Sequence, residues 1–255
     1  MGNERQQQIL QLLEQKGEVQ LQQLKKVFPE VSTMTLRRDL ISLENEGYLI
    51  RTYGGAVSAK RLSSVSGEEN AYSIRASENV EAKMKIAEKA VPMVELGRSI
   101  YFDAGSTVMC LAKILPDNNF SIVTSGVNIA LELVKKLRTS VVSLGGFVNR
   151  NTLSVSGPSA IASLDDINID LAFMAASAFT IENGLTVSNI YECELKRKIV
   201  NSAKKVILLM DTSKINKVLP FTYATLGDID IWVCEDMPPP EVVQEANKHE
   251  VKIIY

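Results

Sequence analysis

The sequence predicts an α/β protein with two domains, a small N-terminal domain of three helices and a hairpin and a larger C-terminal domain with a mostly parallel sheet. Apolar residues recur at helical spacing in three segments before residue 45, and a β-prone stretch follows. From residue 82 onward, short apolar strands alternate with amphipathic helices, which is the pattern of right-handed βαβ units. A run rich in Ser, Lys, Arg, Gly and Glu separates the two patterns, so we expect domains at residues 1–57 and 71–255 and a linker at residues 58–70.

The three N-terminal helices are placed by their apolar spacing and by the residues that stop them. The first is predicted over residues 4–15, before the C-cap pair Lys16-Gly17. The second covers residues 21–27 and stops at Phe28-Pro29, and a hydroxyl cap at Ser32 begins the third. The apolar side of the third helix consists of Leu36, Leu40 and Leu43.

The exposed side of the third helix has the chemistry of a DNA-reading surface. Arg37 and Arg38 lie on a mostly uncharged face, and guanidinium groups suit phosphate and guanine. Residues 48–53 are β-prone and reach a turn at Gly54-Gly55, which predicts a hairpin. Three helices and a hairpin make a winged helix-turn-helix, with the helix-turn-helix at about Gln20 to Asp39.

The charge balance permits DNA binding but predicts modest affinity for each N-terminal domain, residues 1–57, which we call the head. The whole chain has a net charge of −2, while residues 1–60 hold eight Lys/Arg and seven Asp/Glu, a net charge of +1. Because neutralised phosphates supply much of the affinity for DNA, a nearly neutral head favours a homo-oligomer, a dimer or tetramer, that carries several heads.

Composition argues against several other classes of protein. The three cysteines, Cys110, Cys193 and Cys234, are odd in number and widely spaced, which suits a reducing cytoplasm and predicts no disulfide framework and no metal site. The single histidine, His249, lies in a polar stretch, so Ser-His-Asp and Cys-His chemistry lack a base. Without a signal core, a membrane span or a phosphate-loop or dinucleotide motif, we expect a cytoplasmic protein with no membrane contact and no cofactor.

The larger domain is predicted as an alternation of strands and helices. The predicted strands are residues 99–102, 120–124, 140–144, 171–175, 205–210, 230–234 and 251–254. The predicted helices are residues 82–94, 107–115, 126–137, 191–203 and 240–248. Since ligands of open α/β sheets bind at the carboxyl ends of the strands, the polar residues beyond each strand are candidates for a binding site.

Small polar turns follow the first three of these strands. Gly105-Ser106-Thr107 places backbone N–H groups and two hydroxyls at a helix N-terminus, which suits a phosphate. Thr124-Ser125 follows the second strand and Gly145-Gly146 the third. One such turn is commonly only a helix cap, but three at one edge favour a small phosphorylated ligand.

Carboxylates and a lysine extend this candidate site. Asp103 ends the first strand, Asp170 precedes the fourth, and Glu192 lies in a later helix. Carboxylates commonly hold sugar hydroxyls, although a cap or surface ion pair is an equal interpretation for Asp170. Lys214 follows another strand in the sequence Asp-Thr-Ser-Lys, which suits an anion-binding cation.

These residues, taken in order, resemble the DeoR family of bacterial sugar-metabolism regulators over nearly the whole chain. In the head the matching residues are Arg5, Ser32, Thr35, Arg37-Arg38-Asp39-Leu40, Arg51 and Gly54-Gly55-Ala56. In the larger domain they are Arg75, Lys83, Ile86-Ala87, Asp103, Gly105-Ser106-Thr107, Leu144-Gly145-Gly146, Gly157-Pro158, Asp170, Phe173, Gly184-Leu185-Thr186, Lys196, Asp211 and Ser213-Lys214. The sequence departs from the family pattern at Tyr53, where histidine is common, at Ser125, where asparagine is usual, and at Ala175-Ala176, where glycine is expected.

The resemblance implies that the head binds operator DNA and that the larger domain, related in fold to ribose-5-phosphate isomerase, senses phosphorylated sugars or their breakdown products. The implied DNA contacts are Ser32, Thr33, Thr35, Arg37 and Arg38, with Tyr53 in the wing. The expected effector-binding residues are Asp103, Gly105, Ser106, Thr107, Thr124, Ser125, Gly145, Gly146, Asp170, Glu192 and Lys214. We therefore expect a sequence-specific repressor of a carbohydrate-metabolism operon with no catalytic residues.

Two other functions fit parts of the sequence. A sugar-phosphate isomerase would use Asp103, Glu192 and Lys214 as acid–base groups, because aldose isomerisation needs only a carboxylate base and an electrophile. A purely architectural DNA-binding protein would leave the larger domain without a role.

Overall fold

The computed structural model describes residues 4–58 and 71–255. The chain divides into two compact units, Met1–Ser77 and Glu78–Tyr255. Of the expected linker, Ser58 ends a strand, and the remaining residues lie outside the described part of the chain.

The first unit contains the three expected helices and the expected hairpin. Its helices are α1 Glu4–Lys16, α2 Leu21–Val27, α3 Thr33–Asn45 and α4 Tyr72–Ser77, and its strands are β1 Glu18–Gln20, β2 Leu49–Arg51 and β3 Gly55–Ser58. β3 lies between β1 and β2 and is antiparallel to both. Strand β1 therefore turns the predicted hairpin into a three-stranded sheet.

One glycine makes the pairing of β1 with β3 possible. A Cβ atom at Gly55 would lie 1.9 Å from the carbonyl oxygen of Val19, which is far inside van der Waals contact. Apolar residues of α1, α2 and α3 pack beside this sheet. The buried residues of this core are Ile9, Leu13, Val19, Leu24, Leu36, Leu40, Leu43, Leu49 and Ala56.

The second unit is built on a seven-stranded parallel sheet, which confirms the predicted fold class. Its helices are α5 Val80–Ala90, α6 Ser106–Ile114, α7 Val127–Leu133, α8 Pro158–Ala162, α9 Ile190–Ser202 and α10 Pro240–Lys248. Its strands are β4 Ser99–Phe102, β5 Ser121–Thr124, β6 Ser140–Ser143, β7 Phe147–Asn149, β8 Ser154–Ser156, β9 Leu171–Ala175, β10 Ala178–Thr180, β11 Gly184–Val187, β12 Lys205–Leu209, β13 Phe221–Ala224, β14 Ile231–Val233 and β15 Lys252–Ile254. Short 3₁₀ turns at Val91–Met93, Thr212–Lys214 and Leu226–Asp228 complete the elements.

The strand order of the large sheet is β15-β14-β12-β9-β4-β5-β6. From β4 the chain first builds outward through β5 and β6, and it then returns to the other side of β4 to add β9 and β12. The order therefore reverses between β4 and β9, and such a switch point opens a crevice at the carboxyl ends of its two strands.

Two apolar layers cover the two faces of this sheet. Because side chains alternate along a strand, β4 sends Tyr101 into one layer and its neighbours Ile100 and Phe102 into the other. The first layer includes α9 and the single tryptophan, Trp232. Both central strands are buried on both faces, so only their ends are open to a ligand.

A small antiparallel sheet and a hairpin accompany the parallel sheet and were not expected from the sequence. The small sheet has the order β10-β11-β13, and the hairpin pairs β7 with β8. These strands are three or four residues long, which is too short for alternation of apolar and polar residues to reveal them.

Candidate DNA-binding and effector sites

The helix α3 begins at a hydroxyl cap, as the sequence predicts. The Ser32 Oγ accepts a hydrogen bond from the Thr35 backbone N–H at 3.1 Å, and it lies 2.9 Å from the Thr35 Oγ1. Ser32 and Thr33 are exposed and Thr35 is half-buried. The two hydroxyls of Ser32 and Thr35 thus fix the start of the helix while remaining at the surface.

The two neighbouring arginines of α3 point outward. Arg37 and Arg38 are exposed, and within residues 4–58 and 71–255 neither side chain is engaged in a hydrogen bond or ion pair. Met34 and Ile41 are also exposed on this helix. The outer face of α3 therefore offers two guanidinium groups and two apolar side chains to a partner.

The third residue of the Arg-Arg-Asp sequence turns inward instead. The Asp39 carboxylate accepts from the Arg5 Nε at 2.6 Å and from the Arg5 Nη2 at 3.2 Å. The hydrogen bond to Asp39 raises the pKa of Arg5. This bidentate pair joins α1 to α3, so Asp39 supports the helix and is not part of its outer face.

The wing carries one fully exposed aromatic residue and one fixed arginine. Tyr53 lies at the turn between β2 and β3 and is fully exposed. Arg51 donates its backbone N–H to the Glu44 Oε1 at 2.9 Å and its Nε to the Glu44 Oε2 at 2.6 Å. Both hydrogen bonds lower the pKa of the Glu44 carboxyl group, and the bond from the backbone N–H has the larger effect.

The second unit places a buried ion pair at the switch point. Asp103 directly follows β4, and its Oδ2 accepts from the Ala175 backbone N–H at the end of β9 at 2.9 Å. The same oxygen accepts from the Lys196 Nζ, which comes from α9 and also donates to the Ala175 carbonyl oxygen at 3.1 Å. Both side chains are 2% exposed. Burial raises the pKa of Asp103, and the charge of Lys196 opposes that rise.

Further polar groups surround this ion pair. The Glu192 Oε1 lies 3.8 Å from the Lys196 Nζ, and the Glu192 Oε2 accepts from the Ser154 hydroxyl at 3.4 Å. The ring of Tyr223 lies 5.4 Å from the Lys196 Nζ, a cation–π distance. The structure thus brings the predicted Asp103 and Glu192 together through a lysine.

The predicted turn after β5 lies beside the same pair. The Ser125 hydroxyl oxygen accepts from the Tyr101 hydroxyl at 2.8 Å and from the Ala104 N–H at 3.2 Å. The Thr124 Oγ1 accepts from the Gly126 N–H at 3.0 Å. Burial strongly raises the pKa of Tyr101. These residues hold the ends of β4 and β5 in a fixed arrangement.

The predicted turn after β4 requires a glycine. Ser106 and Thr107 are buried in the first turn of α6. A Cβ atom at Gly105 would lie 2.7 Å from the Cβ of Ala175, so glycine lets the start of α6 approach the end of β9. The N–H groups of this first helical turn therefore lie close to the switch point.

Lys214 belongs to a second polar cluster at the carboxyl end of β12. The buried Asp211 there accepts from the Ser213 N–H at 3.2 Å and from the Asn79 Nδ2 at 3.4 Å. The buried Lys83 donates to the Glu78 carbonyl oxygen at 2.6 Å, and its pKa is lowered first by burial and then by the charge of Lys214. Two lysines thus lie near each other at this strand end.

Three of the expected effector residues lie apart from the rest. Asp170 precedes β9, and its carboxylate accepts from the Ser99 N–H at 3.0 Å and from the Lys204 Nζ at 2.8 Å. A residue that precedes a parallel strand lies at the opposite end of the strands from a residue that follows one. This position corrects the expectation that Asp170 shares the site. Gly145 and Gly146 follow the edge strand β6 and are exposed, whereas the ion pair is at the centre.

The expected effector-binding residues left out Lys196, Lys83 and Asp211, although these three match the DeoR family pattern, and Tyr223 was not noticed in the sequence. A signal for Lys196 was present, because it falls among the apolar positions Cys193, Ile199 and Val200 of its helix. A lysine on a buried helix face needs a buried partner.

Comparison with known proteins decides the family. Residues 5–62 match the model of the DeoR-like helix-turn-helix domain, and residues 78–236 match that of the DeoR C terminal sensor domain. The chain belongs to the DeoR family. The resemblance drawn from the sequence is thereby confirmed.

Relatives that match this DeoR-family chain over about nine-tenths of their length are transcriptional regulators. The HTH-type transcriptional regulator GolR of Listeria innocua is 34% identical, over 91% of this chain and 90% of that protein. The HTH-type transcriptional repressor GlcR of Bacillus subtilis is 30% identical, over 96% of this chain and 93% of that protein. The chain is therefore a DNA-binding transcriptional regulator and not an isomerase.

Solved structures show weaker similarity to this DeoR-family chain. Ribose 5-phosphate isomerase A of Neisseria gonorrhoeae is 15% identical with a TM-score of 0.38, covering 52% of each chain. The Pyrococcus horikoshii translation initiation factor eIF-2B is 16% identical with a TM-score of 0.47, covering 94% of this chain and 90% of that one. Both TM-scores are below 0.5, so the fold of the second unit is assigned from its strand order and not from these structures.

Two further findings concern residues 4–58 and 71–255 of this family member. In them, no helix is long and apolar enough to cross a bilayer. The same residues bring together no group of three or more His, Cys, Asp or Glu that could hold a metal ion.

Proposed function

We propose that this cytoplasmic regulator represses a carbohydrate-metabolism operon, and that a phosphorylated sugar or related metabolite bound in the second unit controls its affinity for the operator. The observation that carries this proposal is the buried Asp103–Lys196 pair at the switch point. Burying a charged pair costs desolvation free energy, and buried, charge-coupled groups at a cleft are typical of functional sites, so the pair supports a binding site here.

The two clusters at this edge suit the two parts of a phosphorylated sugar. Asp103 and Glu192 supply carboxylate oxygens for hydroxyl groups. The N–H groups at Ser106 and Thr107, together with Lys214, suit the phosphate. For such a ligand to control DNA binding, it must bind two arrangements of the heads with different affinity.

The proposed operator contacts lie on α3 and on the wing. They are Ser32, Thr33, Thr35, Arg37, Arg38 and Tyr53. The outward direction of the two arginines supports this assignment. Arg37→Ala and Arg38→Ala separate two roles, because loss of a base contact relaxes sequence preference, whereas loss of a phosphate contact weakens binding to all sequences and flattens the salt dependence.

The effector part of the proposal is tested by titration. Fluorescence anisotropy of the promoter DNA that precedes this chain's own coding sequence gives the affinity, first alone and then with each member of a panel of phosphorylated sugars. We expect one sugar phosphate to weaken binding by a factor within the usual allosteric range of about 5 to 150, and its unphosphorylated counterpart to have no effect. An unchanged affinity with every member of the panel contradicts the effector proposal.

A matched pair of variants locates the effector. Lys214→Gln removes the cation proposed to hold the phosphate, and Lys217→Gln removes an exposed cation three residues further along the same segment. We expect Lys214→Gln to shift the effective sugar phosphate concentration upward about tenfold or more, while Lys217→Gln behaves as the parent protein does. Equal responses of the two variants contradict the assignment of Lys214.

We also propose that the protein acts as a homo-oligomer, a dimer or tetramer. The near-neutral charge of residues 1–60 supports this, because one such head neutralises few phosphates. Sedimentation equilibrium at micromolar concentration measures the mass directly, and a monomer contradicts the proposal.

A further inference from the structure

The head contains an open cleft between α3 and the wing that the proposed operator contacts use only in part. Its lining residues include Leu21, Arg37, Leu40, Arg51, Tyr53 and Gly54. One arginine comes from the recognition helix and the other from strand β2, so two guanidinium groups line one small space.

Glu44 fixes the arginine on the wing side. It lies seven residues after Arg37, which is about two helical turns, so both project from the same side of α3. Its two carboxylate oxygens accept the backbone N–H and the Nε of Arg51. Among residues 4–58 and 71–255, the bond through Nε leaves the four N–H groups of Nη1 and Nη2 for another ligand, and the Arg51 side chain is 43% exposed.

We propose that this cleft binds one phosphate of the DNA backbone through Arg37 and Arg51, and that Glu44 is a positioning residue that holds the Arg51 guanidinium in place. A guanidinium fixed in advance loses less side-chain entropy on binding and presents a planar pair of donors to phosphate oxygens. Gly54 also lines the cleft, where a Cβ atom would lie 2.9 Å from the Gln20 Oε1.

The proposed phosphate contact involves only the head and is therefore separate from the proposed effector control. It adds Arg51 and Glu44 to the residues that determine DNA affinity. A phosphate contact is independent of base sequence, so it can be tested without the operator.

The probe is a fluorescein-labelled random-sequence duplex of about 30 base pairs, bound by the full chain at several KCl concentrations between about 50 and 200 mM. Each lost phosphate contact makes the negative slope of log K against log salt shallower by about 0.9. We expect Arg51→Gln to make the slope less negative by about one for each bound head and to weaken binding about tenfold. Arg51→Lys keeps the charge, so it retains the slope and loses part of the affinity.

Glu44 is tested by a double-mutant cycle with the same probe. If it positions Arg51, Glu44→Gln weakens binding about threefold or more when Arg51 is present, although it removes a negative charge near DNA. In the Arg51→Gln background the same change leaves binding equal or stronger. Glu14→Gln, at an exposed carboxylate of α1, is the matched control.

Two outcomes overturn the proposal. If Arg51→Gln keeps the salt slope of the parent protein, Arg51 does not contact a phosphate. If Glu44→Gln has the same effect in both backgrounds, Glu44 does not position Arg51. Thermal unfolding followed by circular dichroism identifies a variant whose head has unfolded, and Arg51→Lys with its retained charge then decides the assignment. Loss of the sugar phosphate response leaves all of these measurements unchanged, so the two proposals fail separately.

Discussion

The two compact units each contain an ion pair between residues far apart in sequence, and the pairs differ in burial. In the head, Arg5 and Asp39 have side chains 26% and 7% exposed. In the second unit, Lys196 and Asp103 are both 2% exposed. The head pair retains contact with water and orients a helix, whereas the buried pair is desolvated at the point where a ligand is proposed to bind. Desolvation therefore decides how much each unit depends on its pair.

The largest expected effect comes from breaking the buried pair. Lys196→Met removes the cation and leaves the Asp103 carboxylate buried, so we expect the second unit to lose about 3–5 kcal/mol of unfolding free energy at neutral pH. Urea unfolding followed by the fluorescence of Trp232, the single tryptophan and a buried residue of this unit, measures the change.

A neighbouring lysine provides the control for that prediction. Lys198 lies on the same helix and pairs with Asp165, but the two side chains are 39% and 65% exposed. Lys198→Met is expected to change stability by less than about 1 kcal/mol. If the two variants lose equal stability, burial is not the cause of the difference.

The second largest effect is expected where β1 and β3 pack closely in the head, and it shows whether the head depends more on this backbone packing than on its ion pair. In Gly55→Ala the added methyl group meets the Val19 carbonyl oxygen, so β1 and β3 must separate. We expect a loss of about 1–3 kcal/mol in the head, measured as faster amide hydrogen exchange in residues 18–20 and 55–58. The Trp232 transition is expected to stay unchanged, and a shift there would contradict independent stability of the two units.

A smaller loss is expected from the pair of the head, because its Arg5 side is partly exposed. Arg5→Gln removes the charged partner of the largely buried Asp39 but keeps a polar side chain in contact with water at that position, so we expect a decrease of about 1 kcal/mol, seen by circular dichroism as a lower head melting temperature. The Glu14→Gln variant on the same helix is the reference. A loss as large as that of Lys196→Met would show that exposure does not separate the two pairs.

The smallest effect is a difference in pH dependence. Lys196 lowers the pKa of Asp103, so its removal raises that pKa further above the unfolded value. The folded state then binds a proton more tightly than the unfolded state. The loss of unfolding free energy caused by Lys196→Met therefore becomes smaller as the pH falls from about 7 to about 5. Arg5, whose pKa is raised from an already high value, stays charged throughout this range, so the deficit of Arg5→Gln is expected to stay constant.

Much of the fold was predictable because its signals are local. The periodic apolar residues of α3, the cap at Ser32 and the βαβ alternation of the second unit need no distant partner to be recognised. The pairing of β1 with β3 was not predictable, since a three-residue strand has no clear pattern and its partner is more than 30 residues away. For the same reason the sheet of β10, β11 and β13 was missed.

The candidate site divides in the same way. Asp103 and Glu192 were found because carboxylates near strand and helix ends are visible in the sequence. Asp170 was grouped with them by residue type, but it lies before its strand and therefore at the opposite edge. Lys196 was left out of the site because its partner is 93 positions away, and a sequence does not show which buried groups meet.

The sequence by itself determined the type of each domain, the outer face of the recognition helix and the sheet edge that carries polar turns, because these follow from short-range spacing and capping. Only the tertiary structure decided which charges face each other. It turned Asp39 inward to Arg5, set Glu44 against Arg51, and placed Lys196 on Asp103 at the switch point. The reason is physical: the free energy of a charge depends on its partner and on its distance from water, and both are fixed only when distant segments pack together.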